Sequence, residues 1–231
     1  MSNVAQHLAK VALKRADILI PKATVDLSKW AVVACDQYTS EPEYWEQVRQ
    51  IVGDAPSTLH LIYPEVYLEE DHPEKRIEQI NTTMKHYLEE GLFTVYHDAF
   101  FLIHRTTPES KVGRWGLLVT LDLDQYDYAP DSHSHIRATE GTILSRIPPR
   151  KEIRKNAPLE LPHIMVLIND EKRSVIEPLV MKKEQLPLAY ETKLMAGGGA
   201  LKAWVVDSDE DMEQIAKALE KKLKTLPQDN P

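Results

Sequence analysis

The sequence has a single cysteine and no long apolar run, and these two absences limit what the protein can be. Cys35 alone cannot form an intramolecular disulfide. No apolar stretch approaches the roughly 18 residues of a membrane-spanning helix. Polar residues also interrupt the amino-terminal segment MSNVAQHLAKVALKR, where a secretory signal peptide needs a continuous apolar stretch. The sequence therefore predicts a cytoplasmic protein with no membrane partner.

Positive charge is also scarce, since 28 Lys and Arg residues stand against 36 Asp and Glu residues, for a net charge of −8. Proteins that bind nucleic acids in general need a broad basic face, so we expect no nucleic-acid partner. The 231 residues, 42% of them hydrophobic, suffice for a full core without disulfides or structural metal. We expect one domain over residues 1–231, with residues 225–231 as a disordered tail. The composition does not predict the oligomeric state.

Hydrophobic periodicity predicts alternating helices and strands in the first part of the chain. Apolar residues three or four apart indicate amphipathic helices, and short continuous apolar runs indicate buried strands. The predicted elements are an opening helix ended by Ile18–Pro21, a strand at Trp30–Cys35, a helix opened by a Ser40–Glu43 capping box, a strand at Thr58–Tyr63, and a helix from Pro73 to a Gly91 cap.

Hairpins are predicted in the second part of the chain, before a closing helix. The fold class is therefore α+β (mixed α/β), with an antiparallel-rich mixed sheet flanked by helices. The predicted elements are a hairpin of Ala99–Arg105 and Gly113–Gln125, a strand pair of His163–Asn169 and Val175–Leu179, a strand at Leu201–Val206, and a helix from Met212 to Leu223.

The segment from Asp131 to Lys155 carries positive charge inside an acidic protein, with six Lys and Arg residues against three Asp and Glu residues. A local reversal of sign attracts anions, and arginine holds a phosphate or carboxylate through two hydrogen bonds. The segment predicts an oxyanion pocket; the alternative is a solvated basic loop that pairs with acidic surface residues. The candidate anion-binding residues are Arg137, Thr139, Glu140, Gly141, Thr142, Arg146 and Arg150.

Three residues are candidates for catalysis. His133 and His135 lie two residues apart and would face the same way on an extended chain, as a proton-transfer pair requires. Polar ligand contact or a plain surface position is the alternative, and we expect no metal site because no third ligand stands at a recognised spacing. Asp36 lies in the turn Cys35–Ser40, after a predicted strand and before a predicted helix, where it could act as a base or a metal partner. Such residues are also common at helix starts, and Cys35 itself is interpreted as a small buried residue.

Gly197–Gly199 precede a predicted strand, whereas a phosphate-binding loop follows a strand and opens a helix. We therefore interpret these glycines as a tight turn or hinge. No sequence feature predicts a particular cofactor.

Four long strings occur in the order found in a known family. They are DLSKWAVVACDQYTSEPEYW, STLHLIYPEVYLEE, IRATEGTILSRIPPRKEIRKNAPLELPHIMVLIND and ETKLMAGGGALKAW. From about Asp17 to Val206 the chain resembles the domain of unknown function 1015 family. The resemblance implies a cytoplasmic bacterial protein with no established activity.

Members of that family continue beyond the Gly-rich segment. Their later half carries a Gly-Asp-Gly-Asn-His-Ser or Asp-Gly-His-His-Arg type element that resembles the nucleotide-binding signature of the partition-protein and sulfiredoxin-like superfamily, which includes free serine kinases. This chain has no such string, so the resemblance implies the N-terminal part of a longer family protein.

These observations together give a functional hypothesis. The protein is expected to be an enzyme, or a lobe of one, that binds a phosphorylated metabolite or nucleotide; the resemblance connects it to phosphoryl transfer in serine metabolism. Arg137, Arg146 and Arg150 would hold the anion. The alternatives are a non-catalytic module that binds a metabolite or an acidic protein, and a truncated half without activity.

Overall fold

A five-stranded antiparallel sheet with helices packed on both faces forms the centre of the protein, which confirms the α+β class. The computed structural model describes residues 3–68, 73–110, 112–127, 129, 134, 136, 144 and 147–223. Its elements are α1 (Asn3–Lys10), β1 (Leu13–Lys14), β2 (Ala16–Pro21), α2 (Leu27–Trp30), α3 (Pro42–Val52), α4 (Pro73–Glu89), β3 (Phe93–Thr106), β4 (Arg114–Leu118), β5 (Thr120–Leu121), α5 (Ile147–Lys155), α6 (Glu177–Met181), β6 (Leu188–Leu194), β7 (Gly199–Val206) and α7 (Asp209–Leu223).

Strand β3 organises the sheet because it pairs along its whole length. Its first half pairs with β2, and its second half pairs with β4 on one edge and with β7 on the other. Strand β6 follows β7, while β1 and β5 form a separate two-stranded sheet. Every pairing between these strands is antiparallel.

Two hydrophobic clusters cover the two faces of the sheet. Successive residues of a strand point to opposite faces, so Phe101 packs with Trp45 of α3 and Met84 of α4, whereas Phe100 packs with Met212 of α7. All five of these side chains are at most 1% exposed. No helix within the described ranges is long and apolar enough to cross a membrane.

Several predicted elements are confirmed, with shifted ends. The opening and closing helices correspond to α1 and α7, the hairpin to β3 and β4, and the strand after the glycines to β7. Helix α4 begins at Pro73, and Gly91 follows it with a φ of +64°, as predicted for a C-terminal cap. The capping box at Ser40 is wrong, since Glu41 is the N-cap residue and makes no side-chain hydrogen bond there.

The two strands predicted at Trp30–Cys35 and Thr58–Tyr63 are absent from the described structure, for one shared reason. The side chains of Ser57 and Thr58 both donate to the Trp30 carbonyl, and the Val32 N–H donates to the Thr58 hydroxyl. The Ser57 hydroxyl also accepts from the Leu59 N–H and caps a 3₁₀ helix over Thr58–Leu61. Side-chain hydrogen bonds thus replace the strand ladder.

The strand pair predicted at His163–Asn169 and Val175–Leu179 is also wrong. Residues 163–169 form no regular secondary structure and are exposed, without a ladder partner among the described residues. Pro178 lies in the first turn of α6, where its fixed φ and missing N–H favour a helix start over a strand. Strands β2 and β6 were not predicted, and Ile18–Pro21 belong to β2 instead of ending a helix.

Candidate functional site

Two of the ten predicted site residues, Asp36 and Arg150, lie within the described parts of the chain. The other eight lie outside the described residues, so their roles stay predictions. They are His133, His135, Arg137, Thr139, Glu140, Gly141, Thr142 and Arg146.

The turn Cys35–Ser40 is joined to the segment that follows Pro64. The Glu65 N–H donates to the Cys35 carbonyl over 2.8 Å, and the Gln37 N–H closes the turn onto the Ala34 carbonyl over 3.1 Å. Asp36 is exposed at this turn. The backbone therefore holds Glu65 directly beside the predicted Asp36 position.

Glu65 connects this turn to helix α5 through an ion pair. Its side chain is 5% exposed, and Arg150 on α5 donates a hydrogen bond to its carboxylate from a side chain that is 51% exposed. The hydrogen bond that Arg150 donates to Glu65 is the main cause that raises the pKa of Arg150, and the charges of Glu65 and Asp36 act in the same direction. Asp36 and Arg150 thus both lie near Glu65, but the Arg150 charge is already paired with this buried carboxylate.

Cys35 is a neutral thiol in this environment. Burial, followed by the negative charges of Asp36 and Glu65, raises the pKa of Cys35 to about 11, while Arg150 acts in the opposite direction. Since the thiolate is the nucleophilic form, this environment opposes nucleophilic chemistry at Cys35 near neutral pH.

A groove of about 1320 Å³ lies next to the Glu65–Arg150 ion pair, between the Cys35–Ser40 turn, α4 and α5. We call it the α4–α5 groove. Four of its lining side chains are carboxylates and one is an ammonium group, and none of them is His or Cys. The lining residues are Thr39, Glu65, Val66, Leu68, Pro73, Glu74, Ile77, Glu78, Asn81, Thr82, Lys85, Pro148, Glu152 and Asn156.

Helix α4 lines the groove with a polar stripe. Glu74, Glu78, Asn81 and Lys85 follow one another at intervals of four, three and four residues, which places them on one face of a helix. Asn81 is 7% exposed, and its Oδ1 atom has no hydrogen-bond partner in the described structure. Lys85 makes no ion pair with the described residues. The stripe thus contains a buried amide acceptor between carboxylates and an ammonium group.

The sequence analysis did not predict this stripe, which contains carboxylates and an amide as well as a lysine. The helical spacing of Glu78, Asn81 and Lys85 is readable in the sequence, whereas the burial of Asn81 depends on how the whole chain folds, and Glu78 and Lys85 stay exposed. No group of three or more His, Cys, Asp or Glu side chains within the described ranges is arranged to hold a metal ion.

Comparison with known proteins gives one result. The family model described as "Protein of unknown function (DUF1015)" matches residues 18–226. The chain belongs to this family. The α4–α5 groove and the Glu65–Arg150 pair both lie inside the part matched to DUF1015. Searches of curated proteins and of solved structures found no match.

Proposed function

We propose that this protein binds a zwitterionic small molecule in the α4–α5 groove. The ammonium group of the ligand lies near Glu78, its anionic group, a carboxylate or a phosphate, lies near Lys85, and Asn81 hydrogen-bonds the atoms between them. The observation that carries the proposal is the α4 stripe with its unpartnered, buried Asn81 Oδ1. Buried polar groups are nearly always hydrogen-bonded, so a ligand donor at this position removes an energetic cost.

The stripe also sets the size of the ligand. Glu78 and Lys85 are seven residues apart, which at 1.5 Å per residue separates their Cα atoms by roughly 10 Å along the helix axis. A molecule of about dipeptide length matches this separation. A single α-amino acid, with its two charges on adjacent carbon atoms, reaches one end of the stripe only.

The described walls support a zwitterion better than a plain anion. Carboxylates outnumber ammonium groups four to one among the lining residues, and the Arg150 guanidinium is paired with Glu65. The hypothesis of a phosphorylated metabolite or nucleotide rests on Arg137 and Arg146, and it stays a prediction, as does catalysis by His133 or His135.

The test is a calorimetric titration with a series of ω-amino acids, from glycine through 4-aminobutanoate and 6-aminohexanoate to 8-aminooctanoate. We expect the affinity to pass through a maximum at an intermediate length. Glu78→Gln and Lys85→Met each remove one charge and should weaken the best ligand at least tenfold. Glu89→Gln is the matched control, because Glu89 is an exposed carboxylate on α4 that does not line the groove.

Asn81→Leu separates binding from folding. Replacing an unsatisfied buried amide with an apolar group of similar size should raise the Tm of the free protein and abolish ligand binding. Affinity that rises steadily with chain length, or that is equal in Glu78→Gln and Glu89→Gln, would contradict the proposal.

A further inference from the structure

Two arginines lie side by side on the sheet, and neither of them lines the α4–α5 groove. Arg105 of β3 is directly opposite Arg114 of β4 in the antiparallel register, so their side chains extend from the same face. Like charges in this position repel each other, and neither arginine forms an ion pair with a carboxylate in the described part of the chain. The positive charge at this point of the sheet is therefore not neutralised by those residues.

The Arg105 guanidinium is held in place by backbone carbonyls. It donates to the carbonyls of Thr106 and Gly198 and, over 3.4 Å, to that of Ala200. These contacts require the chain to approach closely at Gly199, whose φ is +89°, because a Cβ atom there would lie 2.7 Å from Arg105 Nη1. Burial, and then the charge of Arg114, lower the pKa of Arg105. Arg105 is thus a fixed, half-buried cation.

Two tyrosines lie within electrostatic range of this cation. Tyr44 of α3 stacks on Tyr38 of the Cys35–Ser40 turn, with ring centroids 3.8 Å apart and planes inclined by 11°. Burial raises the pKa of the Tyr44 phenol to about 12, and the charge of Arg105 acts in the opposite direction. The Tyr44 hydroxyl oxygen is buried without a hydrogen-bond partner in the described structure. A hydroxyl group that both donates and accepts is therefore left unsatisfied close to an uncompensated cation.

Arg114 differs from Arg105 in its surroundings. It is exposed, and it makes a weak hydrogen bond from Nη1 to the Met165 Sδ atom over 3.5 Å. Most of its guanidinium donors are therefore available to a ligand. A fixed cation beside an available one suits an oxyanion, since guanidinium groups bind phosphate oxygens through paired hydrogen bonds.

We propose that Arg105, Arg114 and Tyr44 form a binding site for the phosphate group of a small molecule. The phosphate neutralises the two guanidinium charges and accepts a hydrogen bond from the Tyr44 hydroxyl. None of these three residues lines the α4–α5 groove, and the site does not depend on the function proposed for that groove.

The experiment titrates the full chain with inorganic phosphate at constant ionic strength, with chloride as the balancing anion, and measures binding by calorimetry. We expect saturable binding that weakens at least tenfold in Arg114→Gln and severalfold in Tyr44→Phe. Lys193→Gln, which removes an exposed cation from β6 of the same sheet, should change the affinity less than twofold. Glu78→Gln in the groove should also leave phosphate affinity unchanged.

A second measurement distinguishes a ligand site from a structural role. Removing one of two repelling charges should raise the Tm of Arg114→Gln in phosphate-free buffer, whereas loss of a structural contact would lower it. Arg105→Gln is not needed for the conclusion, because its carbonyl contacts make a folding defect the expected result. Phosphate binding of equal strength in the wild type, Arg114→Gln and Tyr44→Phe, or no saturable binding to the wild type, would overturn the proposal.

Discussion

The reactivity of Cys35 offers a direct test of the electrostatics around the predicted Asp36 position. The structure raises the pKa of its thiol from 9.0 to about 11. A rise of two pKa units lowers the thiolate fraction about 100-fold at any pH well below 9. At pH 8 the thiolate population is then about 0.1%, against about 9% for a thiol with a pKa of 9. The chain has one cysteine, so every modified thiol is Cys35.

The assay follows alkylation by iodoacetamide with intact-mass measurement from pH 7 to pH 11. Burial also limits access of the reagent, so the pH dependence of the rate is informative and its absolute value is not. We expect the rate to increase tenfold per pH unit up to about pH 10 and to level off near pH 11. A profile that levels off near pH 9 would refute the reasoning.

The variant Asp36→Asn removes the second largest cause of this shift. The negative charge of Asp36 disfavours the thiolate, so its removal lowers the pKa of Cys35 and increases the alkylation rate at pH 8. Asp54→Asn is the matched control, since Asp54 is another exposed aspartate. Equal rates in the two variants would show that Asp36 does not act on the thiol.

Three further predictions concern stability. Phe100→Ala should lower the free energy of unfolding by about 3–5 kcal/mol in urea denaturation, while Val112→Ala, at a residue that is 84% exposed, should change it little. Gly199→Ala should destabilise the protein far more than Gly197→Ala. Both glycines have a positive φ, so the Gly197 change should cost about 1–2 kcal/mol of folding free energy. Only at Gly199 would the new Cβ atom also lie 2.1 Å from the Thr106 carbonyl oxygen. The raised pKa of Cys35 also predicts a pH dependence of the free energy of unfolding. The stabilisation from the neutral thiol is complete below about pH 9 and is lost as the pH rises towards 11, because the thiol of the unfolded chain ionises first. Cys35→Ser should remove this part of the pH dependence of unfolding.

The sequence predicts the elements whose signals are local. Helix α4 has a proline at its start, apolar residues at helical spacing and a glycine after its end, and all three signals act within one element. The alternating residues of β4 and the apolar run in β3 likewise predict their hairpin. For these elements the nearest neighbours along the chain decide the structure.

The errors come from segments whose hydrogen bonds are made at a distance along the chain. The run at Trp30–Cys35 has strand composition, but its backbone groups bond the side chains of Ser57 and Thr58, which lie 26–28 residues away. Residues 163–169 have similar composition and no ladder among the described residues. Strand propensity describes how a residue suits a sheet, and it does not supply the partner strand.

The predicted site shows the same division between local and distant signals. The sequence predicted Asp36 and Arg150 as site residues, and the structure brings them together through Glu65, which was not predicted. Glu65 matters because burial makes an unpaired carboxylate costly, and burial depends on the whole fold. Asn81 was not predicted for the same reason, because an asparagine in a helix indicates a site only when its amide is buried without a partner.

Pairing in three dimensions, and not density along the chain, decides which arginine is available to an anion. Arg150 belongs to the run of basic residues that predicted an oxyanion pocket, yet its charge is matched by a carboxylate that is 5% exposed. Arg105 and Arg114 stand nine residues apart in a stretch without unusual charge, and the β3–β4 register places them together without a carboxylate among the described residues. A charge that is already neutralised contributes little to the binding of an anion. Two adjacent uncompensated charges of the same sign are stabilised by any anion that binds between them. The sheet therefore provides better support for phosphate binding than the described part of the basic run.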